Sequence, residues 1–128
     1  MGGVSRPSQL YALKLFDDDR IELAREAIPK FYSYQRDRYA QKFIEIGLEL
    51  YSGSGGFYHW CKLKGEMNSS ELNERLFKQG AAILKGTDCD MERLEEKSPL
   101  NQFFRFSFGP LSPDTFDNDI KIMEKSLK

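Results

Sequence analysis

One cation sits inside a run that otherwise reads as a buried strand, Phe103-Phe104-Arg105-Phe106-Ser107-Phe108. Side chains alternate faces along a strand, so Phe104, Phe106 and Phe108 share one face and Phe103, Arg105 and Ser107 the other. Three phenylalanines on one side require a core. A guanidinium among aromatics on the other side is costly to desolvate unless it meets an anion. The planar fork of arginine grips a carboxylate or a phosphate through two parallel hydrogen bonds. Arg105 is therefore the first candidate binding residue. Two plainer readings stand beside it: an edge-strand arginine turned to water, or one paired with a local Glu.

Other groups that do chemistry are sparse. The single histidine, His59, lies in the aromatic run Phe57-Tyr58-His59-Trp60 and reads as structural. Cys61 and Cys89 are far apart and in no metal-ligand spacing, so neither a zinc site nor any other metal site is expected. A reduced pair is expected over a disulfide. Nothing points to a Cys–His nucleophilic pair. The turn Gly53-Ser54-Gly55-Gly56 joins two strands rather than a strand and a helix, and no Lys-Ser/Thr pair follows it, so it is not a phosphate loop.

The elements that must position Arg105 follow from punctuation and period. Ser5-Arg6-Pro7 opens a first helix, with Ser5 as its cap and Leu10, Leu13 and Phe16 at helical spacing. Asp17-Asp18-Asp19 interrupts it and suits the start of a second, long helix from about Asp19 to about Ile46. Ala24, Ala27, Ile28, Phe31, Tyr32, Gln35, Tyr39, Phe43 and Ile46 keep its period. Pro29 falls inside that pattern and predicts a kink or break near Ala24 to Ile28. Gly47 ends the helix. Strands are expected at Leu48–Tyr51, Phe57–Leu63, Ala81–Leu84 and Phe103–Phe108. Between the second and third, Asn68-Ser69-Ser70-Glu71 caps a helix with Leu72, Leu76 and Phe77 as its buried stripe, closed by Gly80. Met91 to Lys97 predicts one or two helical turns that Pro99 stops. Ser112-Pro113-Asp114 opens a last helix carrying Phe116, Ile120, Met123 and Leu127 on one face. The order predicts an α/β (α+β) sandwich: a small, mostly antiparallel sheet with helices packed on it, behind a long connecting helix.

Size and composition agree. A chain of 128 residues, 40% hydrophobic and 30% charged, suits one domain with a real core. Its net charge of −1, with acids and bases mixed along the chain, points to neither nucleic acid nor an anionic membrane. No apolar stretch is long enough to span a bilayer, and the first seven residues have no signal-peptide core. A cytoplasmic protein is expected.

With its particular punctuation, this order resembles the C-terminal small domain of class I/II aminotransferases, the fold type I enzymes that use pyridoxal phosphate. Ser5-Arg6-Pro7-Ser8-Gln9 is similar to the Ser-x-Pro-x-Gln segment that leads out of the family's large domain. The helix with Arg36, Asp37 and Arg38 is similar to its connecting helix. Ser54-Gly55-Gly56-Phe57-Tyr58-His59-Trp60 is similar to its x-Gly-Gly-Phe-Phe/Tyr-x-Trp strand. Gly80-Ala81-Ala82-Ile83-Leu84-Lys85-Gly86 is similar to its Gly-Val-x-Val-x-Pro-Gly stretch, and Phe104-Arg105-Phe106-Ser107-Phe108 to its Ile-Arg-Leu-Ser-Phe strand. Each motif is short; five in order at suitable spacing make the resemblance specific.

The resemblance implies that residues 1–18 lead out of a missing large domain and that 19–128 form the small domain. It implies that Arg105 binds the α-carboxylate of an amino acid or 2-oxo acid, supplying the anion the strand asked for. The family's catalytic Lys, the Asp at the pyridine nitrogen, the ring-stacking aromatic and most phosphate-binding groups lie upstream of the matched segments. Lys14, Lys62 and Lys85 match no such motif, so no catalytic residue and no cofactor-binding residue is expected in this chain. Met1 is expected to mark a truncated reading frame, and the chain to be an aminotransferase fragment inactive alone, its parent a homodimer. Departures fall in one place. Lys85-Gly86-Thr87-Asp88-Cys89-Asp90 lacks the family's proline and following aromatic, and the segment to Asn101 is long and charged. In the family this loop helps shape the substrate side-chain pocket, so the departure leaves the substrate's identity open. Two other readings remain: a free-standing module that binds a small carboxylate or another protein, and a chemically silent relative that keeps the scaffold. The first helix distinguishes them. A fragment should leave Leu10, Tyr11, Leu13 and Leu15 uncovered; a stand-alone domain should bury them or dimerise through them.

Overall fold

The computed structural model describes residues 5–94 and 97–128. Helix α1 spans Arg6–Leu13, with the Ser5 hydroxyl accepting from the Ser8 amide and none of its residues buried. Helix α2 spans Asp18–Glu45, with the Asp17 carboxylate accepting from the Asp19 amide and two acids in its first turn. The break expected near Ala24 to Ile28 is absent: the helix runs on through Pro29. Proline leaves the Arg25 carbonyl without its helical donor, and that carbonyl lies in an exposed stretch open to water. Burial in α2 is lopsided. Gln35, Tyr39 and Phe43, four residues apart, face the core, while the first half stands clear of it with Leu23 and Ile28 exposed.

Gly47 takes φ +96°, a left-handed value open to glycine at no cost in sterics, and turns the chain into the sheet. The sheet has four strands in the order β1 (Glu49–Leu50), β2 (Tyr58–Lys62), β4 (Phe103–Ser107), β3 (Leu84–Lys85), all neighbours antiparallel. Strand β3 is shorter than the sequence suggests. The Ala81 amide bonds back to the Leu76 carbonyl at 3.0 Å, and the Ile83 amide to the Asn73 side chain at 3.0 Å, so neither is left for a ladder.

Helix α3 spans Ser69–Phe77, with the Asn68 side chain accepting from the Glu71 amide. Leu72 and Leu76 are buried, but Phe77 is 65% exposed. One residue advances a helix by about 100°, which carries Phe77 off the stripe that Leu76 occupies. After β3 a 3-10 turn covers Gly86–Cys89, which periodicity did not indicate. The helical turns expected at 91–97 fall partly on residues 95 and 96, outside the described residues. Around them Asp90 caps a tight turn, its carboxylate accepting from the Glu92 and Leu94 amides at 3.0 and 3.3 Å. Ser112 caps a 3-10 turn at Pro113–Thr115 that runs into helix α4, Phe116–Leu127.

The predicted α+β sandwich is the architecture observed, with α2, α3 and α4 covering one face of the sheet. Its centre is aromatic. The buried Tyr39 ring lies 5.0 Å from Phe106, 4.8 Å from Phe116 and 6.0 Å from Phe43, and its hydroxyl donates to Asp119 at 2.7 Å. Burial, reinforced by that bond, pushes the phenol well above its ordinary range, so it stays a donor. Arg38 lies 3.6 Å over the Phe116 ring and donates to the Pro113 carbonyl, pinning the start of α4 to α2.

Tyr39→Phe should lower the unfolding free energy by about 1 kcal/mol through the lost hydrogen bond. Tyr39→Ala should cost about 3–5 kcal/mol, because it also empties the ring's volume. Gly86→Ala should cost roughly 2–3 kcal/mol, since its methyl would collide with the Leu100 and Phe103 carbonyl oxygens. Urea unfolding of the three variants checks the ranking, with Tyr39→Phe the mildest.

Candidate functional site

Alternation along β4 divides its side chains as the sequence requires. Phe104 is fully buried, as is Phe108 just past the strand, and Phe106 packs against the same core; Arg105 is exposed on the opposite, open face. Register then fixes its neighbours: Arg105 stands opposite Trp60 on β2 and Leu84 on β3. The same alternation on β2 buries His59 and Cys61 and turns Tyr58, Trp60 and Lys62 to the open face. Trp60 stacks on Phe103 with ring centres 5.8 Å apart and planes 16° apart, and Tyr51 packs on Phe103 at 5.6 Å. The open face is thus an aromatic floor with a guanidinium set in it.

Among the described residues Arg105 makes no hydrogen bond or ion pair, and its closest partner is the Tyr58 ring, 5.4 Å from the guanidinium carbon. The paired-with-glutamate reading does not hold for them. Beside it opens a cleft of about 500 Å³, walled by Tyr51, Ser52, Tyr58, Trp60, Cys89 and the glycines 53, 55 and 56. A separate hollow of about 580 Å³ between Asn68 and Asn101 is more polar, and its Lys85 is held by Asp88 at 3.4 Å. It has no aromatic wall, and the free guanidinium makes the Arg105 cleft the stronger candidate.

A latch behind the cleft holds its glycine wall. His59 accepts from the Ser52 hydroxyl at Nδ1, 2.8 Å away, and donates from Nε2 to the Arg36 carbonyl at 3.0 Å. Both bonds suit the neutral ring with its proton on Nε2. Burial lowers the imidazole's affinity for a second proton, opposed in part by the bond to Arg36. The Arg36 side chain donates to the Ser54 carbonyl and pairs with Asp37 at 2.8 Å. His59 is thus structural, but it shapes the site: it joins α2, β2 and the glycine turn. Gly56, at φ +86°, turns the chain where a side chain would be strained. Cys61 and Cys89 are free thiols; Cys61 is buried, which pushes its pKa up, and Cys89 opens on the cleft. Among the described residues no three His, Cys, Asp or Glu side chains gather as metal ligands would, and no helix is long and apolar enough to cross a membrane.

The sequence singles out Arg105 as a candidate but not the residues that stand around it. Alternation is the signal that could have found Tyr58 and Trp60, which share one face of a run whose other face carries His59 and Cys61. Tyr51, Ser52 and Cys89 carry no such signal, because they reach the cleft from loops.

Solved structures share this fold. A kynurenine aminotransferase of Pyrococcus horikoshii, solved in complex with PMP, KYN and KYA, superposes on 93% of the chain with a TM-score of 0.76 and 24% identity. An N-succinyldiaminopimelate aminotransferase of Mycobacterium tuberculosis covers 94% with a TM-score of 0.67 and 23% identity. This chain has the fold of an aminotransferase C-terminal small domain. An aspartate aminotransferase of Thermus thermophilus matches that small domain over 75% of the chain, with a TM-score of 0.55 and 18% identity. The chain spans 29% of the length of each of the first two enzymes. No protein-family model matches it, and no curated protein does.

Acid should weaken this small domain through His59. An unfolded histidine takes up a proton near pH 6.5, whereas the buried ring resists it, so below that pH the unfolded state binds more protons. Stability present above pH 6.5 is therefore lost as pH falls. Urea midpoints measured at about pH 7 and about pH 5 should drop more for the native chain than for His59→Gln. Equal drops would remove His59 from the account.

Proposed function

We propose that the chain is the C-terminal part of a pyridoxal-phosphate-dependent aminotransferase, and that Arg105 holds the α-carboxylate of its amino acid and 2-oxo acid substrates. The observation that carries this reading is the guanidinium on the open sheet face, without an ion pair among the described residues, beside a cleft, in a small-domain fold. Two parallel N–H···O bonds from Arg105 would fix both the position and the plane of a carboxylate. Fixing the carboxylate fixes the neighbouring Cα, the atom from which a proton must leave during amino-group transfer. Positioning of this kind supplies several kcal/mol of barrier reduction. The floor of Tyr58 and Trp60 keeps water off one side of the substrate.

Pyridoxal phosphate, when bound, supplies the electron sink for that chemistry. The cleft residues do not fit the cofactor by themselves. Among the described residues that line it none is a lysine able to engage its carbonyl, and Arg105 is the one charged group. The groups that hold the cofactor then belong to a large domain of the same enzyme, and the chain alone transfers no amino group.

Helix α1 supports a large-domain partner. Leu10, Tyr11, Leu13, Leu15 and Phe16 are all more than half exposed, Tyr11 at 80%. A patch of that kind along α1 and the turn after it marks a surface that another body covers. A free-standing module would cover it by self-association instead, so a monomeric 128-residue chain in solution would count against that alternative. The parent enzyme is read as a homodimer.

Arg105→Ala in the enzyme that carries this domain should raise KM for every amino acid, whatever its side chain. Loss of a bidentate charged pair costs about 2–5 kcal/mol, or roughly thirty- to a thousand-fold and more in kcat/KM. Arg105→Lys should recover a small part of it. Unchanged steady-state kinetics would end the carboxylate assignment.

A further inference from the structure

We infer that the cleft beside Arg105 favours a carboxylate ligand with an aromatic or large apolar tail over one with a second carboxylate; the inference rests on the carboxylate role of Arg105 proposed above. Among the described residues the cleft has one charged group and three aromatic walls, Tyr51, Tyr58 and Trp60. Among the described residues, a ligand whose single carboxylate meets Arg105 finds no second cation lining this cleft. A second carboxylate brought into the cleft would lose its water without an opposite charge, which disfavours binding.

Lys62, the other cation that β2 turns to this face, is placed elsewhere. Its ammonium lies 5.6 Å over the Phe103 ring, on the far side of Trp60 from Tyr58, and it does not line the cleft. The aromatic walls, by contrast, are unfilled. Tyr51 and Tyr58 are 54% and 44% exposed, large apolar faces left to water beside the guanidinium. Trp60 is braced from behind by Phe103 at 5.8 Å, so its ring is a fixed surface rather than a mobile one. Glycines 53, 55 and 56 add no side chains to the opposite wall, which leaves room for a ring between it and the aromatic floor. The latch of Ser52, His59 and Arg36 holds that wall in place before any ligand arrives. An aromatic side chain would find edge-on and offset ring contacts there, the geometries that aromatic pairs favour.

Trp60 is the only tryptophan, so its indole N–H gives a single resonance in the 15N-labelled chain, set in the floor of the cleft. Three acids that share one carboxylate and differ in the tail test the inference: propionate, 3-phenylpropionate and glutarate. 3-Phenylpropionate should shift the Trp60 indole resonance and bind at least about tenfold more tightly than either of the others. Arg105→Ala should weaken its binding at least about tenfold, and Tyr58→Ala should bring it level with propionate. Equal affinities for all three acids, or a preference for glutarate, with binding still dependent on Arg105, would overturn the side-chain inference and leave the carboxylate role standing. Binding that ignores Arg105→Ala, or no saturable binding of any acid, would overturn both.

Discussion

The seat of β4 on α2 is the constraint from which the rest follows. Phe106 fits between Tyr39 and Phe43, 5.0 and 4.7 Å from their rings. Because a strand's side chains alternate, seating Phe106 inward forces Arg105 outward, and no local adjustment separates the two. A slip of one residue would drive a guanidinium into a pocket of rings and expel three phenylalanines. The hydrophobic core therefore sets the direction of the Arg105 guanidinium, although none of its residues touches the cleft. The same logic aims Trp60 and Tyr58 beside Arg105 by burying His59 and Cys61.

What sequence alone could reach follows from the range of each signal. Periodicity placed α2, β2, β4 and α4, since each buries a face whose spacing is written in consecutive residues. Capping residues located three helix starts: Ser5, Asn68 and Ser112 all accept the amide their positions imply. Local rules failed where distant partners decide. Pro29 breaks a helix only if its orphaned carbonyl has nowhere to turn, and here the stretch is solvent-facing. Ala81–Leu84 has the composition of a strand, but the amides it would offer are claimed by Leu76 and Asn73. Phe77 looked internal by type and is external by angle.

The candidate site was legible in its charge and not in its shape. Arg105 stood out because a cation in an apolar run is an electrostatic anomaly visible in six residues. The latch of Ser52, His59 and Arg36 joins positions 23 residues apart or nearer, but no spacing rule links them. Cys89 reaches the same cleft from a 3-10 turn whose position depends on Gly86 lying against the Leu100 and Phe103 carbonyls. Walls built by loops carry little pattern, whereas faces built by strands carry a strict one.

The uneven burial of α2 gives the domain a mechanical property. Only the part of the helix from Tyr32 onward is clamped, so some fourteen residues project as a cantilever of roughly 21 Å from a rigid root. A tilt of about 5° at the root would swing the free tip through roughly 2 Å, as lever geometry requires for a rod rising about 1.5 Å per residue. Read in reverse, whatever grips the tip can steer the strand that bears Arg105 by small strokes, with the aromatic cluster acting as fulcrum.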